Sequence, residues 1–166
     1  MRTFLCPMDS EKPRKTLSES EARLKAANFC AYQERTQQEV RDKLYEYGLH
    51  RDSVEEVLSW LITENYINEE RFAKAFAGGK FRIKKWGRVR ILRELKQKGL
   101  SDYCIQKGMA EIEEEQYQQH LREWLEKKNA ELKEKDLFIR KRKLAQFAIY
   151  KGYKPEEVWA KLNTLL

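Results

Sequence analysis

Three glycines, Gly48, Gly99 and Gly152, constrain this 166-residue chain more than any other feature. They recur at intervals of 51 and 53 residues, each closing an apolar stretch: "DKLYEYGL", "RELKQKGL" and "QFAIYKGY". Four residues before them stand Leu44, Leu95 and Ala148. Six residues after come Val54, Ile105 and Val158, ten after come Leu58, Met109 and Leu162, and thirteen after come Leu61, Ile112 and Leu165. Steps of four and three keep side chains on one helix face. Glycine takes the left-handed conformation that ends a helix at no steric cost. The pattern predicts a unit made of an apolar helix, a glycine stop and a second helix, present three times.

A leading helix precedes each pair. The first is expected over Ser18–Glu34, opening with Ser18 and Glu21 as a capping box, and Thr36 with Glu39 forms another before the first glycine-ended helix. The second leading helix is expected over Glu69–Ile83 behind Asn68, and the third over Glu113–Lys133, where Glu113, Glu114 and Glu115 suit a helix N-terminus. The second helices of the pairs are expected to start from Asp52 or Ser53, from Ser101, and from Lys154 with Pro155 at the first helical position. Gly78-Gly79 stands inside the second leading helix, where it can bend or shorten it. The fold expected is all-α: three tandem three-helix repeats over residues 18–67, 68–112 and 113–166, forming an elongated curved array behind a flexible N-terminal arm, 1–17. A compact all-α bundle with accidental periodicity is the alternative. Composition agrees with helices: three Pro and seven Gly, and 37% charged residues against 41% hydrophobic ones, which suits thin layers with much surface.

The positive charge is local. The formal net charge is +7, yet Lys80 to Lys98 holds nine Lys or Arg and a single acid, Glu94, so the rest of the chain is close to neutral. On a helix from Gly87 to Lys98, Ile91, Leu92 and Leu95 share one side, Arg90 and Arg93 lie opposite, and Arg88 falls at the apolar edge, placed to pair with a carboxylate. Lys80, Arg82, Lys84 and Lys85 lie just before, around a turn that holds Trp86. That indole serves as the anchor of the corner or as a stacking platform for a base. A second run, Arg140 to Lys143, precedes Leu144 and Phe147. The residues expected to meet a partner or DNA are therefore Lys80, Arg82, Lys84, Lys85, Arg90, Arg93, Arg140 and Arg142, against phosphates or an acidic protein face.

Catalysis finds little support. There is no GxSxG, no HExxH and no Cys/His pairing, and "KAFAGGKF" lacks the first glycine and the final Ser or Thr of a phosphate loop. Cys6, Cys30 and Cys104 are isolated and read as reduced thiols, and His50 and His120 have no ligand pattern, so no metal and no cofactor is expected. No apolar run approaches the roughly 20 residues of a membrane span, and "MRTFLC" is short for a signal peptide. A monomer is expected, since no long heptad seam or exposed apolar helix is evident.

The segments "RTQQEVRDKL", "NYINEERFAKAF", "WGRVRILRELKQKGL" and "FAIYKGY" resemble, in that order, those that mark the bacterial RecX family of RecA regulators. The resemblance runs from about Ser20 to Leu166. It is most specific where Gly87, Arg88, Ile91, Glu94, Leu95, Lys98 and Gly99 match a G-x-x-x-I-x-x-E-L-x-x-K-G pattern. Asn65-Tyr66-Ile67-Asn68-Glu69 departs from the family's Gly-Tyr-Leu-Asp-Asp type of sequence. The resemblance implies a cytoplasmic, non-enzymatic protein that binds RecA and the RecA–single-stranded-DNA filament in its groove. It implies damping of RecA's ATPase, strand exchange and coprotease activity in DNA repair and the SOS response. The alternative is a stand-alone nucleic-acid-binding helical repeat protein.

Overall fold

The computed structural model describes residues 16–166, and among them every regular element is an α-helix. In chain order these are α1 (Glu19–Tyr32), α2 (Gln37–Glu46), α3 (Arg51–Thr63), α4 (Glu69–Arg82), α5 (Arg88–Gln97), α6 (Asp102–Met109), α7 (Glu114–Glu131), α8 (Leu137–Tyr150) and α9 (Pro155–Leu165). The expected N-terminal arm lies outside the described residues except for Thr16 and Leu17. Leu17 donates its backbone N–H to the Tyr47 carbonyl at 3.0 Å and packs against the core of α1–α3.

Local chemistry sets the helix boundaries. Both capping boxes form: Ser18 and Glu21 exchange side-chain and backbone bonds at the start of α1, and Thr36 and Glu39 do so at α2. Asn68 accepts from the Arg71 N–H at 2.9 Å, and Ser101 from the Cys104 N–H at 3.3 Å. One start differs from expectation. α3 begins behind His50, which makes no side-chain cap, so Asp52 and Ser53 lie in its first turn, where Asp52 faces the positive end of the helix. α8 is capped by Asp136, whose carboxylate accepts from the Ile139 N–H at 2.9 Å. Gly78-Gly79 does not break α4, which runs on to Arg82.

The stop glycines behave alike. Gly48, Gly99 and Gly152 have φ of 85°, 72° and 99° and are the glycines of positive φ among the described residues. The residue that follows each one, Leu49, Leu100 or Tyr153, is buried. The Leu49 and Tyr153 N–H groups reach back to the Leu44 and Ala148 carbonyls, closing the helix end as a 6→1 bond does.

The chain divides between Ile67 and Asn68 into two compact units. In the first, α1–α3 enclose Ala22, Ala26, Val40, Leu44, Val54, Val57, Leu58 and Leu61. In the second, α4–α9 share one continuous core that runs from Phe72, Phe81, Ile91 and Leu95 to Tyr117, Leu121, Leu144, Tyr153 and Leu162. The second and third helical triplets are therefore fused. Their seam is a backbone contact. The Gly87 N–H donates to the Lys151 carbonyl at 2.9 Å, and the Val89 N–H to the Gly152 carbonyl at 3.0 Å. A Cβ on Gly87 would lie 2.1 Å from the Gly152 carbonyl carbon and oxygen. Only glycine permits that approach.

Gly87→Ala is therefore expected to destabilise the α4–α9 unit by about 1–3 kcal/mol, the usual cost of overpacking. Gly79→Ala, where an added Cβ meets nothing within 4 Å, should stabilise α4 by about 0.5–1 kcal/mol. Urea titration of the two variants checks both signs.

Candidate interaction surface

The seam positions the cationic residues. α4 ends at Arg82, and the chain turns through Ile83–Trp86 before α5 begins. Lys85 has φ 50°, a left-handed conformation that costs an L-residue roughly 1–2 kcal/mol. Two side chains converge on its carbonyl to hold it there: the Trp124 indole N–H at 3.0 Å and the Tyr153 hydroxyl at 3.1 Å. Its ammonium bonds Glu123, and that bond, with a second from Gln119, holds the Glu123 carboxyl below the usual carboxylate range. Burial raises the Tyr153 phenol far above its ordinary value. Lys85 is thus a residue of the seam, through its backbone and its charge alike.

Around this turn the cations divide into occupied and open groups. The Trp86 ring carries Arg90 at 3.9 Å and Lys80 at 4.9 Å, so the indole is occupied by two cations of its own chain rather than standing free as a platform for a base. Arg90 also lies 5.6 Å from the ring of Tyr150, and its Nε is buried without a hydrogen-bond partner. Lys80 and Lys98 flank Phe76 at 5.3 and 5.6 Å. Arg88 pairs with Glu114 at 2.8 Å and lies 4.1 Å over the Tyr117 ring, the structural role its apolar-edge position suggested. Arg82 reaches Glu111 at 3.8 Å, with both side chains partly exposed, a weak pairing. Lys84 and Arg93 are exposed and pair with no acid among the described residues.

The second basic run does not join this corner as one surface. Arg140 turns inward. Its guanidinium donates to the Glu134 carbonyl at 2.8 Å, the Leu132 carbonyl at 3.0 Å and the Asn129 side-chain oxygen at 3.2 Å, stapling the α7–α8 connection. Lys143 pairs with Glu134 at 2.9 Å and Lys141 bonds Asn163 at 3.3 Å. Arg142 alone of the run is exposed without a pair among the described residues. It stands nine residues before Lys151, the residue that closes α8, about 13 Å along the axis and on the opposite side of the helix.

Sequence reasoning missed two members of the corner, Phe76 and Tyr150. The available signal was position: Tyr150 stands two residues before a stop glycine, off the apolar face, and is 74% exposed. It also missed the division of charge between the two units. Residues 1–67 hold twelve acids and ten Lys or Arg, net −2, whereas residues 68–166 hold twenty-four Lys or Arg and fifteen acids, net +9. Among the described residues, no group of three or more His, Cys, Asp or Glu is placed to hold a metal, and no helix is long and apolar enough to cross a membrane. What the arrangement can do is present fixed, aromatic-backed cations to an anionic surface.

Residues 22–61, 68–109 and 114–162 match, in order, the families described as RecX, first, second and third three-helix domain. This chain belongs to the RecX family. It is 34% identical over 115 residues to the Regulatory protein RecX of Lactobacillus gasseri, covering 69% of this chain and 42% of that one. To the Regulatory protein RecX of Bacillus cereus it is 29% identical over 144 residues, covering 87% and 53%. The chain thus spans about half the length of these curated relatives. The crystal structure of RecX from Lactobacillus salivarius superposes with a TM-score of 0.79 at 22% identity, covering 89% of this chain and 96% of that one. A second crystal structure of regulatory protein RecX gives 0.79 at 20% identity, with 88% and 71% covered. The tandem all-α fold of three-helix domains is therefore that of the RecX family.

Arg140→Ala should lower the unfolding free energy by about 1–3 kcal/mol, because it strands carbonyls that a charged donor had satisfied. Arg142→Ala should stay within about 0.5 kcal/mol of the parent. Thermal melts separate the two. His120 supplies a pH test. Its imidazole packs 4.8 Å from Phe81 with Nδ1 unbonded, and burial, aided by the charge of Lys85, lowers its pKa below the ordinary 6.5. The unfolded chain then binds the proton more readily. The His120 contribution is present above pH 6.5 and is lost as pH falls through the depressed folded value. His120→Gln should flatten the decline in stability between pH 7 and pH 5, as read by urea titration at each pH.

Proposed function

We propose that this chain is a regulator that binds RecA and the RecA–single-stranded-DNA filament and damps filament ATPase, strand exchange and coprotease activity. Membership of the RecX family carries the proposal. The cationic corner supports it, since filament and nucleic acid both offer anionic surface. On this reading the protein acts without catalysis, in the cytoplasm, within DNA repair and the SOS response. Lys84 and Arg93 provide the free charge, Lys80 and Arg90 are held in fixed positions by Trp86, and Arg82 joins them once a partner displaces its weak pairing to Glu111. Held cations lose little freedom on binding, which favours a specific protein face over diffuse attraction to phosphates.

A stand-alone nucleic-acid binder uses the same free cations, and salt distinguishes the two. A binder driven by phosphates loses affinity for bare single-stranded DNA steeply with salt. The regulator should hold RecA-coated DNA more tightly than bare DNA at every salt concentration and slow RecA's ATP turnover at substoichiometric amounts. Lys84→Glu with Arg93→Glu should weaken binding to coated DNA by about tenfold or more, at unchanged melting temperature. Equal affinity for coated and bare DNA, with no effect on turnover, contradicts the proposal.

A further inference from the structure

One guanidinium of the cationic corner is held in place without a counter-charge. Arg90 lies 3.9 Å over the Trp86 ring and 5.6 Å from that of Tyr150. A Cβ on Gly152 would lie 2.4 Å from the Arg90 Cβ, so the stem is fixed against bare backbone. Nε is buried with no hydrogen-bond partner, whereas the two Nη nitrogens, bonded to nothing among the described residues, reach the surface. Glu94, one turn further along α5, is in reach by spacing yet forms no pair with it. Other arginines of the same unit end differently: Arg88 on Glu114, Arg122 on Glu126, and Arg140 on carbonyls.

Rings against the faces of a guanidinium leave its edge for hydrogen bonds. With Nε inside, that edge is the Nη pair, a fork that matches the two oxygens of one oxyanion. The field favours an anion there. Lys80 shares the Trp86 ring at 4.9 Å, and Lys84 and Arg93 pair with no acid among the described residues. Apolar surface adjoins the fork. Tyr150 is 74% exposed although its ring lies against Arg90, and Val89, the residue before Arg90, is 47% exposed. The Val89 N–H bonds the Gly152 carbonyl at 3.0 Å, which keeps it beside the end of α8. A phosphodiester backbone would leave both side chains in water, whereas a protein face covers them. Tyr, Trp and Arg are also the residues on which binding energy most often concentrates between proteins.

We propose that Arg90 is the anchor for a carboxylate on a partner protein: its Nη fork takes both oxygens of a Glu or Asp side chain, and an apolar neighbour of that acid rests on Tyr150 and Val89. The feature recognised is then an acidic residue beside an apolar one, not charge in bulk. Preorganisation favours it, since a guanidinium already held by rings loses little freedom on binding. Lysine cannot replace it, because an ammonium is a point charge without a planar fork. The inference rests on reading this corner as a protein-binding face, and it adds the chemistry recognised there.

Two measurements on the full chain test it. In the first, Arg90→Lys and Arg90→Gln should each weaken binding to RecA-coated DNA about tenfold or more, and to a similar extent, at near-parental melting temperatures. Tyr150→Ala should weaken it as well. An Arg90→Lys variant that binds as the parent does would overturn the proposal, since charge alone would then suffice. The second measurement needs no RecA. Arginine side-chain and aromatic NMR signals are followed as an acetylated, amidated Leu-Glu-Leu peptide is added at millimolar concentration. The Arg90 guanidinium and Tyr150 ring signals should shift, and a Leu-Gln-Leu peptide or dimethyl phosphate should move them several-fold less. Equal shifts with the glutamine peptide, equal shifts with dimethyl phosphate, which would point to nucleic acid, or no shift at all would each sink it. A parent that ignores RecA-coated DNA yet shifts with the glutamate peptide contradicts the RecA reading and upholds this one.

Discussion

The approach of the Gly87 backbone to that of Gly152 is the contact on which the second unit depends. Two main-chain hydrogen bonds cross it, and no Cβ fits between. Helices α4–α9 otherwise pack mainly within their own triplets, so this crossing of turns, with the side chains gathered around it, joins two three-helix groups into one core. The strained Lys85 backbone is the local cost. It is offset by the Trp124 and Tyr153 donors on its carbonyl and by Glu123 on its ammonium.

That junction also determines where the charge stands. A helix that stops at Arg82 and restarts at Arg88 must expose the side chains of its turn, and the seam fixes which ones. Lys85 is drawn in, Lys84 is left out, and Trp86 becomes a shelf that keeps Lys80 and Arg90 in place. Cations held in this way present a defined pattern, unlike a flexible basic tail. The net positive charge of the chain belongs to residues 68–166, since the first unit is close to neutral.

The repeat was legible in the sequence because its constraint is unusual. A helix stop at φ of 72–99° asks for glycine, and a 51- or 53-residue recurrence of glycine with matched apolar neighbours rarely arises by chance. The roles of individual cations were not legible. Arg140 and Arg142 are alike in type and two residues apart, and only the placement of the Leu132 and Glu134 carbonyls sends one inward. Lys85 has the side chain of a surface residue, whereas its carbonyl and torsion are the parts used most, and sequence carries no sign of either. Fusion of two triplets was hidden as well, since Gly87 looks like an ordinary helix-start glycine until Gly152 is seen against it. The exposure of Leu137–Ile139 was not legible either, because it depends on the capping and stapling residues that flank the turn.

Hydrogen exchange at the Gly87 and Val89 amides tests the central claim most directly. Both amides belong to a turn and to the residues just inside a helix start, where exchange is ordinarily fast, yet each is bonded across the seam. If the seam joins α4–α9 into one cooperative unit, these two amides exchange as slowly as those of Ile91 and Leu144, through opening of the whole unit. Exchange at the rate of a free turn, with the helix cores still protected, would contradict the account.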